Sequence, residues 1–157
     1  MVVQNPVNIA ISFVVLIAVV GGSFFYVSSS GLVKLPPEPW IGITEGLVVN
    51  PARAEALGLN QQHGLLIISI TPGSPAQKAG LVGANNVTVI DGVSVPTGGD
   101  IIVSMDDRPI NGPEDVCAVL AQKEVGDSSK FVIDRRGEVR EIDVVLEELP
   151  PQATSTC

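Results

Sequence analysis

Hydrophobic runs separated by turn-forming residues divide residues 40–149 into short elements. Runs rich in Val, Ile and Leu are bounded by Gly, Pro, Asn or Asp, and this pattern predicts strands. The predicted strands lie at 41–49, at 64–71, in the two halves of 87–95, and at 99–105, 130–134 and 138–146. Within 87–95, Asp91-Gly92 is a two-residue turn that favours a hairpin.

Three helices are predicted from their capping residues. Each begins at an Asn or Ser that can cap the first turn, and a Gly lies at or beyond its end. They run from Asn50 to Gly58, from Ser74 to Gly80 and from Asn111 to Glu124, where Asn111 and Glu114 predict a capping box. Helices this short leave little room for parallel crossovers. The predicted fold class is α+β, a partly open antiparallel β-barrel or sandwich flanked by two or three short helices.

The start of the chain has a different pattern, because residues 6–27 contain almost no strongly polar side chain. As a helix they would be about 33 Å long, enough to cross a hydrocarbon core of about 30 Å. We therefore expect a transmembrane anchor within residues 1–30, followed by a Ser/Gly/Pro linker at 31–39. A cleaved signal peptide, with a cleavage site near 28–30, is the alternative.

The distribution of charge narrows the possible functions. All 9 Lys/Arg and all 17 Asp/Glu lie from Lys34 onward, and the net charge is −8. This balance argues against binding nucleic acid through a basic surface. Sidedness is weakly encoded, because Lys34 favours a cytoplasmic domain, whereas the glycosylation pattern Asn86-Val87-Thr88 favours the opposite side. We expect an extracytoplasmic domain, with the lipid bilayer as a partner through residues 6–27.

Groups for catalysis or metal binding are few. His63 is the only histidine, and the sequence has no His-Glu-x-x-His motif, Gly-rich phosphate loop or metal-ligand pair of Cys or His. We predict no enzyme activity, metal or cofactor. Two cysteines are too few for a disulfide framework. A bond between Cys117, inside the third predicted helix, and Cys157, the last residue, is possible but not favoured.

Several motifs resemble the PDZ domain of HtrA/Deg serine proteases. The matching segments are Trp40-Ile41-Gly42-Ile43, His63-Gly64, 71–76, 79–81, 99–102, 114–116 and 135–137. The resemblance covers residues 40–150 and implies a PDZ-like domain at 40–149 without a protease domain. Residues 82–98 form an insertion that could block or extend a binding surface, and residues 150–157 are expected to form a disordered tail.

The resemblance implies a site in which an extended peptide adds as a strand to a sheet edge. Backbone N–H groups of the 40–43 turn would hold the terminal carboxylate. Gly42 would allow close approach, although it could instead relieve a bend. On the third helix, Val116 and Val119 are assigned to the core, and the reverse assignment is the alternative. The candidate peptide-binding residues are Trp40, Ile41, Gly42, Ile43, Cys117 and Leu120.

The expected function is that of a membrane-anchored, non-catalytic PDZ protein that binds extended or C-terminal peptide segments. It would act as an adaptor or regulator in membrane protein quality control, with a membrane protease or larger membrane complex as a further partner. One alternative is an accessory structural subunit of such a complex, and another is a PDZ module acting in trans with a separate serine protease. A groove filled by the chain's own insertion or tail would favour the structural subunit.

Overall fold

The chain divides into two compact units, residues 1–36 and residues 37–157. The computed structural model describes residues 18–20, 23–25, 37–151, 153 and 157. In the first unit, strands β1 (Ala18–Val20) and β2 (Ser23–Phe25) pair antiparallel, with Ala18 opposite Phe25.

The predicted membrane anchor at residues 6–27 falls mostly outside the described residues. The part that is described lies in β1 and β2, so the structure differs from the predicted helix at these positions. Val and Phe favour strands as well as membrane helices, so an apolar run of this composition does not by itself decide between them. Among the described residues, none of the helices has the length and apolar character needed to cross a bilayer.

Capping residues set the ends of the first two helices of the second unit, as predicted. Helix α1 (Pro51–Leu57) begins after Asn50, whose side chain accepts a hydrogen bond from the first turn. It ends at Gly58, which adopts a left-handed backbone conformation with φ of 64°. Helix α2 (Pro75–Lys78) begins after Ser74, whose hydroxyl caps it in the same way.

The third helix is shorter than predicted. Helix α3 spans Pro113–Leu120, and its N-cap is Gly112 rather than Asn111. Pro113 determines this start, because proline is favoured at the first helical position. Asn111 instead donates its backbone N–H to the carboxylate of Asp115 at 2.8 Å. The predicted capping box is therefore wrong.

Antiparallel strands build the rest of the second unit. In the described part of the chain they are β3 (Pro39–Trp40), β4 (Ile43–Val49), β5 (Gly64–Ile70), β6 (Asn86–Ile90), β7 (Val93–Thr97), β8 (Ile101–Met105), β9 (Arg108–Pro109), β10 (Ser128–Arg135), β11 (Glu138–Val145) and β12 (Glu147–Glu148). The main sheet has the order β11-β10-β8-β5-β4, with β9 paired to β8, while β12 pairs with β3. β4 is thus an edge strand, and the predicted combination of antiparallel sheet and short helices is confirmed.

The insertion at residues 82–98 contains the predicted hairpin. β6 and β7 pair antiparallel as a separate two-stranded sheet. Asp91 and Gly92 form the turn with φ of 50° and 80°, the pair of left-handed conformations that matches the twist of two strands joined by two residues.

The main sheet carries apolar side chains on both faces. Leu65 and Ile67 belong to a large core cluster that also contains α2 and α3 side chains. Leu66, between them, belongs to a smaller cluster with Ala54 of α1, because successive side chains of a strand point to opposite faces. The helices thus cover both faces of the sheet, and α3 lies on the side of the larger core.

A buried ion pair joins two of the motifs found in the sequence. Asp100 is fully buried, and it accepts hydrogen bonds from Arg135 at 2.6 and 2.7 Å and from the Val82 N–H at 2.8 Å. Arg135 also donates to the Gly80 carbonyl at 2.7 Å. The hydrogen bond to Asp100 raises the pKa of Arg135, which favours the charged guanidinium. The Asp100–Arg135 ion pair therefore links segments 99–102 and 135–137 inside the domain.

Candidate peptide-binding site

An apolar groove lies between the start of β4 and helix α3, and it is called the β4–α3 groove below. None of the described side chains that line it carries a charge. They are Pro39, Trp40, Ile41, Ile43, Leu65, Pro113, Val116, Leu120 and Cys157. The space left open in the groove is about 20 Å³, room for about one water molecule.

One wall of the groove is the edge strand β4. It pairs with β5 on one side, and its register is irregular between Ile43 and Gly46. Such bulges are common at sheet edges, where they interrupt regular pairing. Among the described residues, β5 is the strand that pairs with β4, and a strand at the edge of a sheet can accept a further strand. A peptide in extended conformation could therefore pair with β4 while its side chains enter the groove.

Gly42 links the groove to the turn that precedes α2. Its φ is 85°, and a Cβ at this position would overlap the side chain of Ser74. Its carbonyl accepts a hydrogen bond from the Thr71 N–H at 2.8 Å, and the Ile41 carbonyl accepts one from the Ala76 N–H at 2.8 Å. Glycine is thus needed here for local packing, whatever else the turn binds.

A disulfide joins the other wall of the groove to the end of the chain. Cys117 of α3 is bonded to Cys157, with 5.4 Å between their Cα atoms. The sequence did not favour this bond, with Cys117 inside a predicted helix and Cys157 as the last residue, and that expectation is wrong. The segment after β12 starts beside β3, where the Leu149 N–H donates to the Glu38 carbonyl at 3.0 Å. Cys157 is among the residues that line the groove.

Trp40, which lines the groove, carries a buried hydrogen-bond donor. The residue is 6% exposed, and its indole N–H has no hydrogen-bond partner in the described part of the chain. Buried donors without partners are rare and cost about 1–3 kcal/mol each.

Asp106 anchors the chain that follows α3. Its carboxylate accepts hydrogen bonds from the Lys130 N–H at 2.9 Å and the Ser129 hydroxyl at 3.1 Å, and it lies 2.8 Å from the Lys123 Nζ. Burial alone would raise the pKa of Asp106, but these hydrogen bonds outweigh burial and lower it. The charged carboxylate thus holds the end of the groove wall against β8 and β10.

A second depression, called the cleft below, lies near the end of α1 and is more polar. Its described lining is Leu57, Gly58, Leu59, Asn60, Leu66, Thr97, Gly98, Gly99, Ile101, Asp134, Arg136 and Gly137, and its open volume is about 280 Å³. Thr97 and Gly98 belong to the 82–98 insertion, whereas no insertion residue is among those lining the groove. In this structure the insertion borders the cleft and leaves the groove to other segments.

Two features of the described residues concern metal binding and the position of the single histidine. Among the described residues, no group of three or more His, Cys, Asp and Glu could hold a metal ion. His63 is exposed just before β5, and it is not among the lining residues of the groove or the cleft.

Comparison with known proteins agrees with the antiparallel fold and its edge-strand groove. Residues 43–146 match the PDZ domain family. The chain belongs to this family. A PDZ domain is a peptide-binding module and is not itself catalytic.

Relatives of this PDZ chain include much longer proteases. It is 25% identical over 114 residues to a probable periplasmic serine endoprotease DegP-like of Rhizobium meliloti, covering 73% of this chain and 19% of the relative. It is 29% identical over 136 residues to Protease Do-like 8, chloroplastic, of Arabidopsis thaliana, covering 79% of this chain and 28% of the relative. The chain thus spans less than a third of the length of these relatives.

Solved structures with the same fold contain bound peptides. The HtrA-type protease AlgW with decapeptide has a TM-score of 0.56 at 22% identity, covering 73% of this chain and 30% of that chain. The HtrA3 PDZ domain bound to the phage-derived ligand FGRWV has a TM-score of 0.50 at 17% identity, covering 69% of this chain and 85% of that one. At these identities the likeness establishes the fold.

The structure brings most of the predicted site residues of this PDZ domain together. Trp40, Ile41, Ile43 and Leu120 line the groove, and Gly42 lies within the same turn. Cys117 contributes through its bond to Cys157. Other residues were not assigned to the site from the sequence: Pro39, Leu65, Pro113, Val116 and Cys157 also line the groove.

The α3 side chains lie where they were predicted, with one addition. Val116 and Val119 belong to the core cluster, and Leu120 lines the groove. Val116 also lines the groove and Leu120 also belongs to the core cluster, because the groove floor is the surface of the core. Helical spacing could have predicted that Val116 also lines the groove, because it follows Pro113 by three residues and precedes Leu120 by four.

Proposed function

We propose that this protein binds extended or C-terminal peptide segments by adding them as a strand to β4, with apolar ligand side chains in the β4–α3 groove. The observation that carries the proposal is the apolar groove beside an edge strand. The PDZ family match and the peptide-bound solved structures support it.

The lining residues suggest the chemistry of the ligand. An uncharged lining suits an apolar terminal side chain. The terminal carboxylate would be held by backbone N–H groups of the turn around Gly42, and a ligand carbonyl would accept the Trp40 indole N–H. Glu45 on β4 and Glu114 on α3 are exposed, so basic residues further along the ligand would be favoured.

The proposed setting is the outer surface of a membrane, where the protein would act as an adaptor or regulator in protein quality control. The uncharged start of the chain supports anchoring. The Cys117–Cys157 disulfide supports an extracytoplasmic domain, because such bonds persist in oxidising compartments. A related role is to supply this domain in trans to a separate serine protease.

One observation favours a second candidate function. Cys157 lies in the groove, and a groove filled by the chain's own tail is expected of an accessory structural subunit that does not bind free peptide. In that case the domain would contact fixed partners of a larger membrane complex through other surfaces.

A peptide display screen distinguishes these functions. The full chain, kept in mild detergent, would be screened before and after reduction with dithiothreitol against libraries with free C-termini and with blocked C-termini. Peptide capture predicts enrichment of ligands with an apolar last residue in at least one redox form. Absence of enrichment in both forms would favour the structural subunit.

A matched pair of variants tests the location of the site. Pro113 and Pro51 both occupy the first position of a helix, but only Pro113 lines the groove. Pro113→Glu should weaken binding of an enriched peptide at least about tenfold, or roughly 1.4 kcal/mol, because it places a charge in the apolar lining. Pro51→Glu should leave affinity unchanged. Equal effects of the two variants would place the ligand elsewhere.

A further inference from the structure

We infer that Cys157 is a built-in occupant of the β4–α3 groove, and that reduction of the Cys117–Cys157 disulfide opens the groove to peptides. This regulation rests on the proposed function, since it concerns access to the same groove.

The first support is the position of Cys157 itself. It lines the groove together with Trp40, Ile41 and Ile43, the residues proposed to receive the end of a ligand. With Cys157 present, the remaining open space is about 20 Å³. A ligand side chain of the size of valine cannot enter without displacing the chain's own residue.

The second support is the position of Cys117 on α3. It follows Pro113 by four residues and precedes Leu120 by three, so it shares a helix face with two residues that line the groove. A bond from this face holds residue 157 against the groove rather than against a remote surface. Covalent attachment also prevents the occupant from diffusing away, so a free peptide competes at a large disadvantage.

The third support is the path of the chain between β12 and Cys157. β12 pairs with β3, so that Glu147 lies opposite Trp40. The next residues remain close to this start, because the Leu149 N–H donates to the Glu38 carbonyl and the Ala153 N–H to the Pro150 carbonyl. The chain after β12 therefore starts beside β3, whose residues Pro39 and Trp40 line the groove.

The chemistry is a thiol–disulfide exchange with an external dithiol. A thiolate of the dithiol attacks one sulfur of the bond, which releases the other cysteine as a thiolate that takes up a proton. The second thiol of the reductant then resolves the mixed disulfide. The products are two protein thiols and an oxidised reductant, with two electrons transferred. As residues, Cys157 is exposed and Cys117 is partly exposed.

Peptide binding by defined redox forms tests the inference. The probe is a library of display peptides ending in Val, Leu, Ile or Phe, and the best enriched peptide is then labelled with fluorescein for titration. Four samples are compared: the full chain oxidised, the full chain reduced and alkylated with iodoacetamide, Cys157→Ser, and Cys117→Ser. Circular dichroism checks that each sample is folded. If one serine variant does not fold, the other serves alone as the chain without the disulfide.

The expected result is that the oxidised chain binds at least about tenfold more weakly than both serine variants. Dithiothreitol should increase binding by the full chain and leave the variants unchanged. Equal affinity of the oxidised chain and the variants would overturn the inference while leaving the proposed function intact. If the variants and the reduced chain also bind nothing, the proposed function itself fails and the inference with it.

Discussion

The groove and the cleft of the second unit differ in what fills them. The cleft is open to about 280 Å³, and its described lining includes the polar or charged residues Asn60, Thr97, Asp134 and Arg136. The groove retains about 20 Å³, and its described lining consists of apolar side chains and Cys157. The larger opening is thus the more polar one, whereas the smaller one has the apolar lining that suits a ligand side chain. Volume alone therefore does not select the candidate site.

Removal of the ion pair beside the cleft is expected to have the largest effect. Arg135→Met should lower the free energy of unfolding by about 4 kcal/mol, because Asp100 would remain buried without its counter-charge. Denaturation by urea measures this change.

The matched control is the neighbouring Arg136→Met, which removes an equal charge from an exposed side chain at the cleft. A loss below about 1 kcal/mol is expected there. Similar losses in the free energy of unfolding for the two variants would show that the Asp100–Arg135 ion pair does not stabilise the domain.

The turn beside the groove should give the next largest effect. Gly42→Ala should cost about 3 kcal/mol, from a left-handed backbone conformation and overlap with Ser74. Gly73→Ala is the control, because Gly73 has φ of 75° but open space around its Cβ position, and it should cost about 1 kcal/mol. Thermal unfolding compares the two. An equal cost would mean that packing against Ser74 contributes nothing.

The anchor at the end of α3 should give a smaller effect that depends on pH. Asp106→Asn should lower the free energy of unfolding by about 1.5 kcal/mol at pH 7, since hydrogen bonds to a charged group are weakened. The folded-state pKa of Asp106 lies below its usual value, so this contribution is present above about pH 5 and is lost as the pH falls below about 4.

Urea titrations of the original chain and Asp106→Asn at pH 7 and pH 3 measure the effect. The difference between the two proteins should shrink at the lower pH. If the difference in the free energy of unfolding does not depend on pH, the loss comes from altered packing at residue 106 and not from the lost charge.

The smallest expected effect concerns the indole donor at the groove. In a Cys157→Ser background, Trp40→Phe should weaken peptide binding about fivefold, or roughly 1 kcal/mol, because one hydrogen bond to the ligand is lost. The free energy of unfolding of the unliganded chain should change little, because two effects oppose each other. Removing a buried donor without a partner stabilises the fold, whereas losing apolar contact destabilises it. Unchanged affinity would show that the ligand offers no acceptor to this group.

The elements of the fold were largely predictable because their signals are local. Asn50 and Ser74 cap helices within the next turn, and Asp91-Gly92 supplies the backbone conformations of a tight hairpin. The error at Asn111 is local as well. Pro113 set the helix start one residue later and freed the Asn111 backbone to bond with Asp115.

The site was less predictable because its parts come from distant segments. The resemblance to PDZ domains indicated Ile41, Ile43 and Leu120, but nothing local connects Cys157 to α3. The pairing of β12 with β3 was not predicted either, because a two-residue strand has no recognisable pattern of its own. The Asp100–Arg135 pair, 35 residues apart, depends in the same way on the completed sheet.

Trp40 is the sole tryptophan of the 157 residues, and it lies at the groove beside Cys157. Intrinsic tryptophan emission from this protein therefore originates at one place in the groove lining. Breaking the disulfide or inserting a peptide is expected to change the surroundings of that one chromophore. Emission of the unlabelled protein should then report occupancy of the groove.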